Sequence, residues 1–272
     1  MFERGSQLKG YLQREVKTTP MHSNYGYNYY FCRSFLERLY GNCENFVLKG
    51  SFAQFSTLKK FTRPLTDIDI VTFGNLKNVS DVIDHTLSED GKIRFEIKQR
   101  FETTNSTINY RVMCIFDTIQ HLINIDLRKE EILDFEKIKL PKLFSKDISF
   151  DVNAITLEEH LSNKLYVCLL NLQLYNKLGK VFRRFKDFYD IYSIFELGDI
   201  NIDKANAIFR QKVANDEFLS LHHLDSNLFD KDFIDKNRNL WKKDQKKYDF
   251  NETVTFEDSI NITNEAILGR KR

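Results

Sequence analysis

The stretch VLKGSFAQFSTLKKFTRPLTDIDIV, residues 47 to 71, constrains the fold more tightly than any other part of the chain. The short apolar run FVLK stops at Gly50-Ser51, and SFAQFSTLKK continues at helical spacing. Pro64 fixes a turn, and DIDIVTF resumes as a strand. On that strand Asp67, Asp69 and Val71 share one face, while Ile68, Ile70 and Thr72 share the other. Two neighbouring carboxylates repel, so a metal ion, basic partners or solvent must offset them. Backbone N–H groups at a Gly50-Ser51 helix start, with the helix dipole behind them, suit a phosphate, and the missing side chain of Gly50 permits close approach. The same dipeptide also reads as an ordinary N-cap.

The rest of the chain supplies a large scaffold. With 272 residues, 42% of them hydrophobic and only 3 prolines and 10 glycines, it has room for a sizeable core and few flexible linkers. Residues 25–40 place Tyr29, Cys32, Phe35, Leu36 and Leu39 on one helical face. NVSDVIDHTL is helical or irregular, and KIRFEIKQRFETT, STINYRVMCIFD and HLINIDLRK read as strands, giving a mixed sheet of few, long strands. Beyond Pro141 the period turns helical, through TLEEHLSNKLYVCLLNLQLYNKL, RRFKDFYDIYSIFEL, KANAIFRQKVANDEF, DFIDKNRNLWKKDQKKY and FEDSINITNEAIL. The expected fold class is α/β (α+β), with a sheet-bearing lobe over 1–152 and a helical lobe over 153–272.

Several function classes are excluded. A net charge of +2 gives no global basic field, so nucleic-acid binding requires local patches such as RFEIKQR, RRFK and WKKDQKK. Cys32, Cys43, Cys114 and Cys168 lack metal-ligand spacing and read as free thiols in a reducing compartment. The six histidines, His222-His223 included, show no metal motif. The charged opening MFERGSQLKGYLQREVK lacks a signal-peptide core, and no apolar run approaches a membrane span, so a cytoplasmic protein without membrane contact is expected.

A third carboxylate completes a chemical pattern. In INIDLR, Ile123 and Ile125 face one way, Asn124 and Asp126 the other. Hard oxygen donors at Asp67 and Asp69 suit Mg²⁺, and Asp126 on a neighbouring strand suits a third ligand and general base. Metal ions held there activate an attacking hydroxyl and stabilise departing pyrophosphate, which is nucleotidyl transfer from an NTP.

Gly-Ser, DxD and a later aspartate, in that order, resemble the polymerase-β-like nucleotidyltransferase superfamily. The flanks YNYYFCRSFLERLYGNCENFVLKGSFAQF and RPLTDIDIV, then TLEEHLSNKLYVCLLN and GKVFRRFKDFYDIYSI, are similar to the AbiEii/AbiGii toxin nucleotidyltransferases across about residues 25 to 200. The resemblance implies a polymerase-β-like core followed by a helical lobe that completes the active site. It implies nucleotide contacts at Gly50 and Ser51, and metal (Mg²⁺ or Mn²⁺) at Asp67, Asp69 and Asp126. It further implies that Lys164 binds the triphosphate and that Asp187 is an essential acid. Arg63, Lys186 and Asp190 match the motifs with less defined roles. Ser51 departs from the family's second glycine, and Asn163 stands where a glutamate usually precedes the motif lysine.

Read from the residues alone, Lys164 is a solvated or snorkelling side chain on the shoulder of the Leu161, Leu165, Cys168 and Leu169 stripe. Asp187 and Asp190 likewise read as an ion-pair face with Arg183, Arg184 and Lys186. The function expected from the resemblance is a toxin of a bacterial toxin–antitoxin or abortive-infection system. It would transfer NMP from an NTP to the 3′ end of tRNA and be opposed by a cognate antitoxin. A small-molecule (antibiotic) or protein acceptor, or a non-catalytic nucleotide-binding module, are the alternatives.

Overall fold

Peptide alternation and capping chemistry set out the elements in chain order. The first unit carries α1 (Gly5–Lys17), α2 (Ser23–Asn42), β1 (Val47–Lys49), α3 (Gly50–Leu58), β2 (Asp67–Thr72) and α4 (Leu76–Ser88). It continues with β3 (Arg94–Thr104), β4 (Thr107–Phe116), β5 (Ile119–Lys129), β6 (Phe135–Lys139) and β7 (Asp151–Ile155). The computed structural model describes residues 2–19, 23–73, 75–89, 91–104, 106–130, 134–179, 181–217, 219 and 228–270. His222-His223 and the last two residues of the terminal GRKR fall outside them. The chain divides into two compact units, Met1–Ile155 and Thr156–Arg272.

In the first unit the strands form one mixed sheet in the order β3-β4-β5-β2-β1-β7-β6. Parallel pairing joins β2 to β5 and β1 to β7, and the remaining pairs are antiparallel. One face of the sheet is apolar: Ile68, Ile70, Tyr110, Val112, Ile123, Ile125 and Leu127 are all buried. Against it α2 lays Tyr29, Cys32, Phe35, Leu36 and Leu39, every one fully buried. Burying side chains of this size stabilises by about 1.5–3 kcal/mol each, which locks the strand register. With the apolar set inward, the polar set of β2, β4 and β5 must face the other way.

The sheet has seven strands among the described residues, more than the few long ones the alternation suggests. β6 (FEKIK) is an edge strand with only Ile138 half-buried, so it carries no apolar alternation to reveal it. β7 is five residues long and carries the sheet unit to Ile155. The four cysteines are free thiols, and among the described residues no helix is long and apolar enough to cross a membrane.

The second unit is helical: α5 (Leu157–Leu178), α6 (Phe185–Leu197), α7 (Ile202–Ala214), α8 (Lys231–Lys247) and α9 (Phe256–Ile267). The Thr156 side chain caps α5 by accepting from the Glu159 N–H at 3.2 Å, with Glu158 and Glu159 in the first turn. Gly179, at φ +60°, ends it. An aromatic cluster binds α6, α8 and α9: Phe188 meets Phe229 edge-on at 4.9 Å, and Trp241 stacks on Phe256 at 5.1 Å.

Candidate active site

Strand register places the acidic residues in rows. Asp69 lies opposite Asp126 on β5, and Asp126 lies opposite Asn109 on β4. One row over, Asp67 lies opposite Asn124, which lies opposite Arg111. On the other side of β2, Asp69 is paired with Lys49. All these side chains share the sheet face away from α2, because Ile68, Ile123, Ile125 and Tyr110 between them point into the core. Neighbouring strands are about 4.8 Å apart, so Asp69 and Asp126 are side by side.

Gly50 fixes the other wall. It opens α3 with φ +62°, a conformation that favours glycine. A Cβ built there would fall 1.9 Å from Asp69 Oδ2 and 2.8 Å from its Cγ. The Asp69 carboxylate therefore rests directly on the Gly50 backbone, at the positive end of α3. Ser51 sits within the first helical turn and is almost wholly buried, and the N-cap position belongs to Lys49. The plain N-cap reading of Gly50-Ser51 is thereby corrected.

Asp67 is held by neutral donors, Asn124 Nδ2 at 3.2 Å and Thr66 Oγ1 at 3.2 Å. Lys49 turns its ammonium to Glu130 at 2.6 Å. Arg63 is buried at the turn before β2, where Nη1 donates to the Pro64 carbonyl at 3.4 Å. Sequence patterning missed Asn28. Its Nδ2 donates to the carbonyls of Leu65 (2.8 Å) and Thr66 (2.7 Å), and its Oδ1 meets His121 Nε2 at 3.1 Å. It thus ties α2 to the entrance of the aspartate strand. Only its place inside the YNYY stretch hinted at a role, since a lone asparagine on a helix has no distinctive spacing.

The donor chemistry fits a divalent cation. Three carboxylates on one face, two of them in register, offer the hard oxygens that Mg²⁺ and Mn²⁺ prefer. Among the described residues, no three His, Cys, Asp or Glu side chains are already drawn together as a ligand set. Asp67, held by Asn124 and Thr66, would have to turn to join such a set.

In the helical unit, Lys164, Asp187 and Asp190 form a second acidic-basic cluster. Lys164 Nζ meets Asp187 Oδ1 at 2.6 Å and Asp190 Oδ2 at 2.8 Å, and Arg184 pairs with the other oxygen of Asp187. Both aspartates are completely buried and Lys164 is 12% exposed, so Lys164 is not a solvated side chain, while the ion-pair reading of Asp187 holds with Arg184. Burial pushes the Asp187 carboxyl up, but Lys164 and Arg184 outweigh it and hold the group below its usual value. Burial also raises the adjacent Cys168 thiol, which stays protonated and inert. The structure does not bring Lys186 to this cluster; its ammonium lies 5.7 Å from the Tyr248 ring centre. Asn163 donates to Glu159 at 3.2 Å, a buried acid one turn earlier that pairs with Lys212 at 2.9 Å.

A mixed sheet that carries a DxD strand, a third aspartate beside it and a glycine-opened helix gives the chain its fold and its candidate site. Residues 34–261 match the model of the nucleotidyl transferase AbiEii toxin of type IV toxin–antitoxin systems, and the chain belongs to that family. Among solved structures it is similar to JHP933 from Helicobacter pylori, with TM-score 0.56 and 13% identity over 91% of this chain and 92% of that one. It is also similar to MenT4, a nucleotidyltransferase toxin from Mycobacterium tuberculosis H37Rv, with TM-score 0.55 and 12% identity over 75% and 70% of the two chains. No curated protein matches it in sequence.

Proposed function

We propose that this chain is a divalent-metal-dependent toxin that transfers the NMP of an NTP to an RNA 3′ end, tRNA being the favoured acceptor, and so blocks translation. The observation that carries this reading is the Asp69–Asp126 register pair, with Asp69 lying against the side-chain-free Gly50. A bound divalent cation, held by Asp67, Asp69 and Asp126, would neutralise charge at the reacting phosphate and on the pyrophosphate. Asp126 accepts the proton of the attacking 3′ hydroxyl. The hydroxyl oxygen then bonds to the α-phosphorus as the bond to the pyrophosphate oxygen breaks. Backbone N–H groups at Gly50 and Ser51 receive the phosphates, and the missing side chain of Gly50 leaves room for the Asp69 carboxylate beside them.

Lys164 is assigned to the triphosphate on its motif match, with Asp187 and Asp190 holding its ammonium in place. Arg63 orders the turn that delivers β2. The family implies a cognate antitoxin as partner, and its gene is expected beside that of the toxin.

The test is incubation of the full chain with each labelled NTP, Mg²⁺ and total tRNA, followed by 3′-end sequencing. Nucleotide added to RNA 3′ ends supports the reading. Label that appears only on protein or small molecules moves the acceptor, and no label with any acceptor removes the activity.

A further inference from the structure

The sheet order separates two flanks of the aspartate strand. Gly50 follows β1 on one side of β2, and β5, β4 and β3 extend on the other. In-line displacement requires the attacking oxygen and the leaving pyrophosphate at opposite ends of the α-phosphate. With phosphates received at Gly50, the acceptor hydroxyl must arrive from the β5 side.

That side is a polar, open sheet face. The Asp69 row runs through Asp126 and Asn109 to Phe101 on the edge strand. The Asp67 row runs through Asn124 and Arg111 to Gln99. Arg128 follows Asp126 by two residues on the same face of β5. Arg111, Arg128, Asn124 and Gln99 are exposed, and Phe101 is 50% exposed. Their neighbours on β3 are different: Arg94 and Lys98 are tied to Glu96, and Arg100 points to the α4 side, where it meets Asp84 at 2.8 Å. At about 4.8 Å per strand, Arg111 lies roughly 10 Å from Asp67 and Phe101 roughly 14 Å from Asp69. This is the reach of a few nucleotides.

We propose that this face, centred on Arg111, Arg128 and Phe101, seats the 3′-terminal single strand of an RNA acceptor. The two guanidiniums contact its phosphates, and Phe101 stacks an unpaired base. The inference rests on the nucleotidyl-transfer reading and names the acceptor surface of the same site. Charge decides the class of occupant: two exposed arginines beside a lone exposed aromatic match a phosphate backbone with splayed bases.

The experiment measures binding directly, by fluorescence anisotropy of a fluorescein-labelled single-stranded RNA with the full chain across a salt series. The doubly substituted Arg111→Glu/Arg128→Glu chain is expected to bind at least about tenfold more weakly. Its log–log salt slope should be shallower by about 1.4, at about 0.7 for each phosphate no longer neutralised. Phe101→Ala should weaken binding by about five- to 150-fold with an unchanged slope. Lys231→Glu/Lys236→Glu, on the exposed part of α8, should bind as the unmodified chain does.

Affinity of the arginine and phenylalanine variants unchanged from the unmodified chain, or an equal loss in the α8 control, overturns the proposal. So does preference for blunt duplex RNA, or absence of RNA binding by a chain that modifies protein or small molecules. In the last case nucleotidyl transfer stands and the RNA surface falls. If binding follows the expected pattern while no NTP is ever transferred, the surface stands and the catalytic reading falls.

Discussion

Replacing Gly50 by alanine perturbs the candidate site through geometry alone. Two costs arise. At φ +62° an L-residue is in the left-handed region, which costs about 1–2 kcal/mol. The new methyl would also lie 1.9 Å from Asp69 Oδ2, and the carboxylate must retreat by about 1.1 Å to reach even 3.0 Å. The backbone cost corresponds to a fall of about 2–8 °C in the melting temperature for a unit of this size. The displacement matters more for chemistry, since a 1 Å misplacement of a reacting group can cost about 10²-fold. Circular dichroism melts and single-turnover transfer from an α-labelled NTP read the two effects separately. The expected result is a folded chain whose transfer rate drops about 10²-fold or more. A Gly50→Ala chain that keeps its full rate would refute the claim that the Asp69–Gly50 contact sets the site.

Other residues give independent tests. Asp126→Asn preserves shape and removes the proton acceptor, so single-turnover transfer should fall by about 10²–10⁴ while the melting temperature holds. Lys164→Met leaves Asp187 and Asp190 buried without their shared cation, and urea unfolding should show a loss of about 3–5 kcal/mol, lessened by Arg184. The Asp187 carboxyl is held below its unfolded value, so its contribution is present above that value and lost as pH falls through the folded one. Urea midpoints between pH 5 and pH 2 should therefore fall less steeply for Asp187→Asn than for the unmodified chain. Asn28→Ala removes two hydrogen bonds to the approach to β2, and about 1–3 kcal/mol of stability should be lost, read by the same unfolding.

The carboxylate face was legible because a strand has an exact period of two. Once Ile68 and Ile70 are inside, Asp67 and Asp69 must point out, and the same rule places Asn124 and Asp126. What the pattern lacks is the pairing partner, and only the register shows that Asp126 stands beside Asp69 rather than Asp67. The helical cluster was misread for a different reason. Lysine and aspartate normally face water, so local spacing reads Lys164 as solvated or snorkelling and Asp187 and Asp190 as a separate ion-pair face, with no sign that the three are buried together. Their burial depends on partners 23 and 26 positions along the chain. β6 escaped because an edge strand has no buried alternation, and Asn28 because its value lies in two carbonyls of another segment.

The Asp67, Asp69 and Asp126 face, with Gly50 as its wall, is proposed as the centre of nucleotidyl transfer. The most direct measurement is an anomalous-scattering map of crystals soaked with Mn²⁺ and a non-hydrolysable NTP analogue. A manganese peak is expected about 2.1–2.2 Å from carboxylate oxygens of Asp69 and at least one of Asp67 and Asp126, with the phosphates at the Gly50-Ser51 backbone. A metal–nucleotide complex bound elsewhere on the chain, leaving these three side chains untouched, would contradict it.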